Sequence, residues 1–264
     1  MKLLQSFKTN FLVSFALLKR DIKIIVSNIK NTIIDSLILG FFFSLLYGYF
    51  FPALGMSLQF SAPLFLGIVV NLLISVSYSK CVGVKSDIDF KRFFDYHLTL
   101  MISKYWLIAE YIIAYTIDLI VSTIPAFLIG LTILNHLSKF NINFPLLLLM
   151  YTLSSLFLSV MFLFFAFGVK WNWFINNTWE RILNPLIHFG GVFFIWHRLE
   201  QTWPLMAQIS RFSPMTYMTD GLRYASLGSG NYIPIHISIT VLSIGSIILL
   251  IPLVFAMKRH LDPV

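Results

Sequence analysis

Three acidic side chains stand inside long apolar segments of the sequence: Asp35, Glu110 and Asp118. A charge at the centre of a bilayer costs about 2.5–3.5 kcal/mol on insertion scales, so such groups usually face protein or water. We interpret Asp118 as part of a structural pair or as a pathway residue. Glu110 lies near the end of its segment and could reach the interface. The two acids share a broad helix face, so a polar patch along a transport route and a proton relay are further interpretations.

A second polar group lies in "ISRFSPMTYMTDGLRYASLG", residues 209–228, between two apolar runs. Pro214 suits the first turn of a helix, Ser213 stands at its N-cap place, and the glycines from Gly228 onward end it. Asp220 and Arg223 are three residues apart and can meet on one helix face. Two interpretations remain open: a helix-surface ion pair, and an Arg223 that contacts phosphate headgroups or shapes an outer gate.

The sequence contains no recognisable enzyme motif. Its six histidines include no pair at the i, i+4 spacing of a helical zinc site, and there is no G-x-S-x-G nucleophile elbow. The phosphate-binding pattern G-x-x-x-x-G-K-[ST] is missing as well. We therefore predict no catalytic residue, no metal site and no cofactor held by this chain. The single cysteine, Cys81, cannot form a disulfide within the chain.

These residues must be positioned by membrane helices, because 58% of the 264 residues are hydrophobic and only 11% are charged. Strand-like alternation is not visible, so the prediction is an all-α integral membrane fold, one domain over residues 1–264. Six runs approach the length that crosses a bilayer. The predicted spans are 33–51, 60–79, 105–131, 144–168, 182–199 and 233–257.

Lysine and arginine are distributed unevenly between the two sides that six spans would define. Four fall on one side: Lys139, Arg198, Arg211 and Arg223. The other fifteen fall on the opposite side. Cytoplasmic segments carry the excess of Lys and Arg, so we predict that both termini are cytoplasmic. The charge is spread over four membrane-edge segments, whereas nucleic-acid binding would require one basic patch.

Three segments outside the spans have distinct patterns. Residues 1–32 place Phe and Ile at helical spacing opposite lysines, which predicts an amphipathic helix lying in the membrane interface. Residues 79–104 predict a cytoplasmic loop with a short amphipathic helix that docks a soluble partner. Residues 199–232 predict short helices on the outer side that re-enter the outer leaflet, with aromatic rings at the interface.

Parts of the sequence resemble a known family, the type-2 ABC transporter permeases. "SPMTYMTDGLRY" resembles that family's motif before the last span, and "NPLIHFGGVFF" resembles its proline-to-double-glycine fifth span. "DFKRFFDYHLTL" stands in the position of its cytoplasmic coupling segment. Ser213 replaces the usual asparagine, and Asp95 and Tyr96 replace a glutamate pair. The resemblance implies an ATPase-coupling site at Asp87, Lys91, Arg92, Phe93, Phe94 and Asp95. It implies an outer-gate motif at Ser213, Pro214, Thr216, Tyr217, Asp220 and Arg223.

The resemblance further implies a half-transporter in a bacterial inner membrane. Two permease subunits, as a homodimer or a heterodimer, would form the path. ATP and magnesium would be bound by a separate cytoplasmic ABC ATPase subunit. The cargo implied is a drug, a lipid or a lipid-linked glycan, moved out of the cytoplasm. Two alternatives stay open from the residues: a proton-coupled secondary transporter using Asp118 or Glu110, and a scaffold without transport.

Overall fold

The chain folds into long helices and several short helices, most of which lie at one end of the bundle. The computed structural model describes residues 2–91, 102–137, 140–228 and 230–261, and these ranges contain no β-strand. The long helices are α1 (Lys2–Leu45), α2 (Ser61–Ser86), α3 (Lys104–Leu134), α4 (Phe144–Gly168) and α10 (Ile235–Leu261). The short helices are α5 (Trp171–Asn177), α6 (Asn184–Phe189), α7 (Trp196–Thr202), α8 (Pro204–Ser210) and α9 (Pro214–Leu227).

Within the described ranges, five helices are long and apolar enough to cross a membrane, so the predicted count of six is not confirmed. The prediction of one helix over residues 182–199 is wrong. Helical residues run from Trp171 to Phe189 through a π-helical segment, Thr178–Leu183, and then stop at a turn. Gly191 in this turn has φ +72°, a left-handed conformation that glycine adopts without steric cost.

The predicted interfacial helix and the predicted first span form one continuous helix. Helix α1 runs through residue 32 to Leu45 and continues as a π-helical segment, Leu46–Phe50, and a last turn, Phe51–Ala53. No proline or glycine lies between residues 2 and 39, so nothing in the backbone ends the helix there. The apolar stripe is exposed at Phe11 and Phe15.

Helix α1 packs side by side with α3 over most of its length. Asn10 Oδ1 accepts a hydrogen bond of 2.6 Å from the backbone N–H of Ser103, and the Ser36 hydroxyl accepts one of 3.0 Å from the N–H of Ala126. Pro125 interrupts the hydrogen-bond ladder of α3, so Ser36 satisfies a backbone donor beside that interruption. At Gly40 the two helix backbones come so close that a Cβ atom would collide with Ala126.

Helix α2 extends beyond its predicted end at residue 79. It continues to Ser86 and passes directly into a π-helical turn, Asp87–Lys91, so the first part of the predicted 79–104 loop is helical. Gly83 does not break the helix, and no proline follows it before residue 91. Of the predicted coupling residues, Arg92, Phe93, Phe94 and Asp95 lie outside the described residues.

The bundle has two distinct ends. Lys85, Lys170 and Arg259 line one cavity, and the Lys258 ammonium lies 5.4 Å from the ring centre of Tyr105. We call this end, defined by these four cations, the basic end. At the opposite end, the backbone N–H groups of residues 141 and 143 donate to carbonyls of residues 226 and 225. We call this opposite end the far end; helix α9 lies there.

Candidate functional site

At the far end a fully buried ion pair joins four parts of the chain. The side chains of Asp220 and Arg223 are both 0% exposed and lie 3.0 Å apart on one face of α9. Arg223 Nε donates to the Pro63 carbonyl at 2.9 Å, Nη1 to the Phe194 carbonyl at 2.9 Å, and Nη2 to the Gly191 carbonyl at 2.7 Å. The guanidinium therefore ties α9 to the start of α2 and to the turn after α6.

Asp220 completes this network on its other side. Its Oδ2 accepts a hydrogen bond of 3.2 Å from the backbone N–H of Ile233, which fixes the segment that enters α10. Burial raises the pKa of the Asp220 carboxyl above its ordinary value. The attraction of Arg223 and the hydrogen bond from Ile233 oppose that rise. The interpretations of a helix-surface ion pair and of a headgroup contact are wrong, because each requires exposure that Arg223 lacks. The outer-gate interpretation of Arg223 does not require exposure and stays a prediction.

Hydroxyl groups along α9 satisfy the carbonyls left open at the end of α6. A helix leaves its last four carbonyls without partners inside the helix. The hydroxyls of Ser213, Thr216 and Thr219 lie 3.0, 3.3 and 3.0 Å from the carbonyl oxygens of Leu186, Phe189 and Gly190. The three residues recur every third position and so share one face of α9. The polar motif therefore caps a neighbouring helix.

Ser213 occupies its predicted place but does not cap α9. Ser213 stands at the N-cap position of α9, with extended backbone, but its side chain makes no capping hydrogen bond. Its hydroxyl bonds the Leu186 carbonyl instead. Pro214 begins α9 as predicted, and the Tyr217 hydroxyl donates to the Arg211 carbonyl at 2.9 Å, which holds the α8–α9 turn.

Close approach of backbones is what makes the arginine network fit. At Gly67 of α2, a Cβ atom would collide with the Val192 carbonyl and lie 3.0 Å from Arg223 Nη2. At Gly190, a Cβ atom would collide with Leu186 and Met215. The glycines at positions 67 and 190 thus let α2 and α9 reach the turn after α6, in agreement with close packing at small residues in membrane proteins.

The three intramembrane acids do not form one polar patch. The Asp118 carboxylate pairs with the Lys80 ammonium of α2, and both side chains are about a quarter exposed. Asp35 lines a cavity of about 220 Å³ between α1, α2 and α3, and Lys80 lines the same cavity. Glu110 is 2% exposed and faces α1, and its Oε1 has no hydrogen-bond partner among the described residues. Asp35 and Asp118 therefore both lie near Lys80, while Glu110 lies apart from them on the side of α3 that faces α1.

Lys80 and Lys85 are the residues that the sequence interpretation missed. Both fall in the predicted cytoplasmic loop, residues 79–104, because the predicted second span ends at residue 79. In the structure Lys80 is the counter-ion of Asp118, and Lys85, 1% exposed, pairs with Asp89 at 2.8 Å. The i, i+4 spacing of Lys85 and Asp89 is a signal that would have indicated a continued helix.

At the basic end, the turn that ends α2 touches the start of α5. Asp87 and Lys91 bound this π-helical turn. The ring of Phe90 within it meets the ring of Trp171 edge to face, with centroids 4.9 Å apart. No group of three or more His, Cys, Asp or Glu side chains that could hold a metal ion occurs in the described part of the chain.

The family model for ABC-2 type transporters matches residues 13–227. The chain belongs to the ABC-2 type transporter family. No curated protein and no solved structure matched it. As a permease of this family it is a multi-pass membrane protein and a transport subunit, which in this family pairs with an ATPase subunit. The match runs from within α1 to the end of α9, and so includes Asp220, Arg223 and the three carbonyl partners of Arg223, as well as the turn at Asp87–Lys91.

Proposed function

We propose that the chain is the membrane subunit of an exporter in a bacterial inner membrane, with the basic end and both termini in the cytoplasm. ATP is hydrolysed, with magnesium, by a separate cytoplasmic ABC ATPase subunit. Two permease subunits, most simply two copies of this chain, form the path for a lipid, a drug or a lipid-linked glycan. The uneven distribution of Lys and Arg supports this orientation.

One observation carries the mechanism: two helical rods are joined to each other at both ends. The first rod is α2. The second is the helical run from Trp171 to Phe189. At the basic end the rods meet through Phe90 and Trp171. At the far end Arg223 binds the first residues of α2 through Pro63, and binds the turn after α6 through Gly191.

This frame suits the transmission of force from the cytoplasm to the outer side. An ATPase that docks on the turn Asp87–Lys91 and the residues after it would displace the inner ends of both rods together. Because packed helices move as rigid bodies, the displacement would reach α9 through Arg223. Short helices α7, α8 and α9 re-enter the outer leaflet in this proposal, and their motion opens the path outward.

Loss of the Phe90–Trp171 contact should uncouple transport from ATP hydrolysis. Phe90→Ala and Trp171→Ala each remove an edge-to-face pair worth about 0.5–1.5 kcal/mol, so we expect transport per ATP to fall about two- to tenfold. The double variant should be no worse than either single variant, because both remove the same contact. Trp173→Ala, which alters an exposed ring two residues away, is the matched control and should transport normally. If the losses of transport in the two single variants add up in the double variant, the proposal that the two rods act through this contact is wrong.

Reconstitution with and without the ATPase tests the proposed function itself. Vesicles are prepared with the permease and the ATPase that co-purifies with it in mild detergent. They should move cargo from the basic-end side of the permease to the far-end side only when ATP and magnesium are present on the basic-end side. The permease alone should move none. Full-rate transport by the permease alone down an ion gradient would overturn the proposal.

A second candidate, the proton-coupled carrier, rests on Glu110, which is 2% exposed and whose Oε1 has no hydrogen-bond partner among the described residues. A buried acid within a membrane-spanning helix is a candidate site for a carried proton. The carrier predicts uptake that follows a pH gradient and is abolished by Glu110→Gln. The exporter predicts that Glu110→Gln, which keeps a neutral hydrogen-bonding group there, transports at the normal rate.

A further inference from the structure

A cavity of about 630 Å³ opens at the basic end among the ends of α2, α4 and α10 and the start of α5. Its polar lining includes three cations, Lys85, Lys170 and Arg259, and one acid, Asp89. Neither the rods' contact nor the Arg223 network uses these cations. The cavity lies at the ends of three candidate membrane-spanning helices, α2, α4 and α10.

The described residues of the cavity lining carry a surplus of two positive charges. Lys85 and Asp89 neutralise each other, because Lys85 Nζ lies 2.8 Å from Asp89 Oδ2. Lys170 and Arg259 are both exposed, and neither side chain forms an ion pair or hydrogen bond with another described residue. Two cations without a partner among the described residues, both lining one cavity, attract an anion with two or more acceptor oxygens, and a phosphate group has them.

The rest of the lining is apolar and leads onto a lipid-facing stripe. Phe164, Trp171 and Phe255 contribute rings to the cavity wall. Phe255 is 66% exposed and continues a stripe of exposed side chains on α10 that includes Ile248 and Ile251. These positions are three to four residues apart, so they form one face of the helix. An acyl chain could follow this face away from the cavity.

We propose that this cavity binds the headgroup phosphate of an anionic phospholipid from the leaflet at the basic end. Lys170 and Arg259 contact the phosphate, and one acyl chain lies along Phe255, Ile251 and Ile248. Basic pockets between transmembrane helices are known to take anionic headgroups. A zwitterionic lipid fits less well, because its own ammonium group meets a site that is already positive. This lipid is a resident of the chain rather than its cargo, so the inference does not depend on the proposed function.

Native mass spectrometry of the full-length chain tests the site. Protein purified in mild detergent is mixed with dioleoylphosphatidylglycerol or with dioleoylphosphatidylcholine, and bound lipid is counted. We expect retention of phosphatidylglycerol and little retention of phosphatidylcholine. Lys170→Gln with Arg259→Gln should weaken phosphatidylglycerol binding about tenfold or more, since each surface cation contributes roughly 1 kcal/mol of attraction. Lys170→Arg with Arg259→Lys keeps both charges and should keep the lipid.

The matched control changes the same amount of charge elsewhere. Lys19 and Lys23 are exposed on α1, away from the cavity. Lys19→Gln with Lys23→Gln should leave phosphatidylglycerol binding unchanged. An equal loss in this control, or equal retention of both lipids, would overturn the site. Inorganic phosphate is the third probe: if it competes as well as the lipid does at equal concentration, the ligand is a soluble phosphate and the lipid assignment is wrong.

Discussion

Arg223→Met is expected to prevent accumulation of folded permease. The substitution leaves the Asp220 carboxylate buried without its counter-ion, which costs about 3–5 kcal/mol for a broken buried pair. It also removes the donors from the carbonyls of Pro63, Gly191 and Phe194. Each buried acceptor left open adds about 1–3 kcal/mol. The sum is comparable to the whole stability of a typical domain. Fluorescence-detected size-exclusion of a tagged chain should show loss of the monodisperse peak.

Arg223→Lys separates the charge from the geometry. Lysine restores a counter-ion for Asp220, but a single ammonium cannot present the planar fork that reaches three carbonyls in different directions. We expect folded protein with a lower thermal midpoint and transport reduced about tenfold or more, because the two rods are no longer held together at the far end. Normal transport by this variant would show that Arg223 acts only through its charge.

Arg211→Met is the matched control for both variants. Arg211 lies on the same side of the molecule but is 53% exposed; its guanidinium lies 4.4 Å from the ring centre of Trp196 and 3.5 Å from Glu200. Exposed ion pairs and cation–π contacts contribute about 0–1 kcal/mol. The size-exclusion peak and the transport rate of Arg211→Met should therefore match those of the unmodified chain. A loss as large as that of Arg223→Met would mean that any arginine in this region is needed.

Asp118→Asn is expected to destabilise the bundle by about 2–3 kcal/mol, below the range for a fully buried pair because both partners are partly exposed. The amide cannot neutralise Lys80, whose ammonium is then left between α2 and α3 without its ion-pair partner. Asp35 lines the neighbouring cavity but forms no ion pair with Lys80 in the described structure. The thermal midpoint of the purified chain in detergent should fall.

The double variant Lys80→Met with Asp118→Leu makes this test specific. Replacing both partners of an ion pair by apolar groups of similar size is often neutral or stabilising. We therefore expect its thermal midpoint to lie close to that of the unmodified chain and above that of Asp118→Asn. If both variants unfold at the same lower temperature, the residues contribute by packing or by binding water in the neighbouring cavity rather than as a pair.

Local signals predicted several elements well. The span over residues 144–168 coincides with α4, and α9 begins at the predicted Pro214 and ends just before Gly228, which has φ +90°. In both cases residues next to each other in the chain decide the boundary: proline in the first turn, and for α9 also a glycine after the last residue. The break at Gly190 was not predicted, because glycines are common within membrane helices and apolar residues continue on both sides of it.

The sequence alone determined that this protein is a helical membrane protein with a polar, arginine-containing helix near its last span. Apolar runs of bilayer length and their flanking cations are local properties that require no knowledge of contacts. Only the tertiary structure decided what the polar residues bind. Arg223 meets the Pro63 carbonyl from 160 positions away, and Asp118 meets Lys80 across 38. In an apolar environment every buried polar group requires a partner, but which partner it finds depends on how helices pack, and spacing along one helix does not encode that.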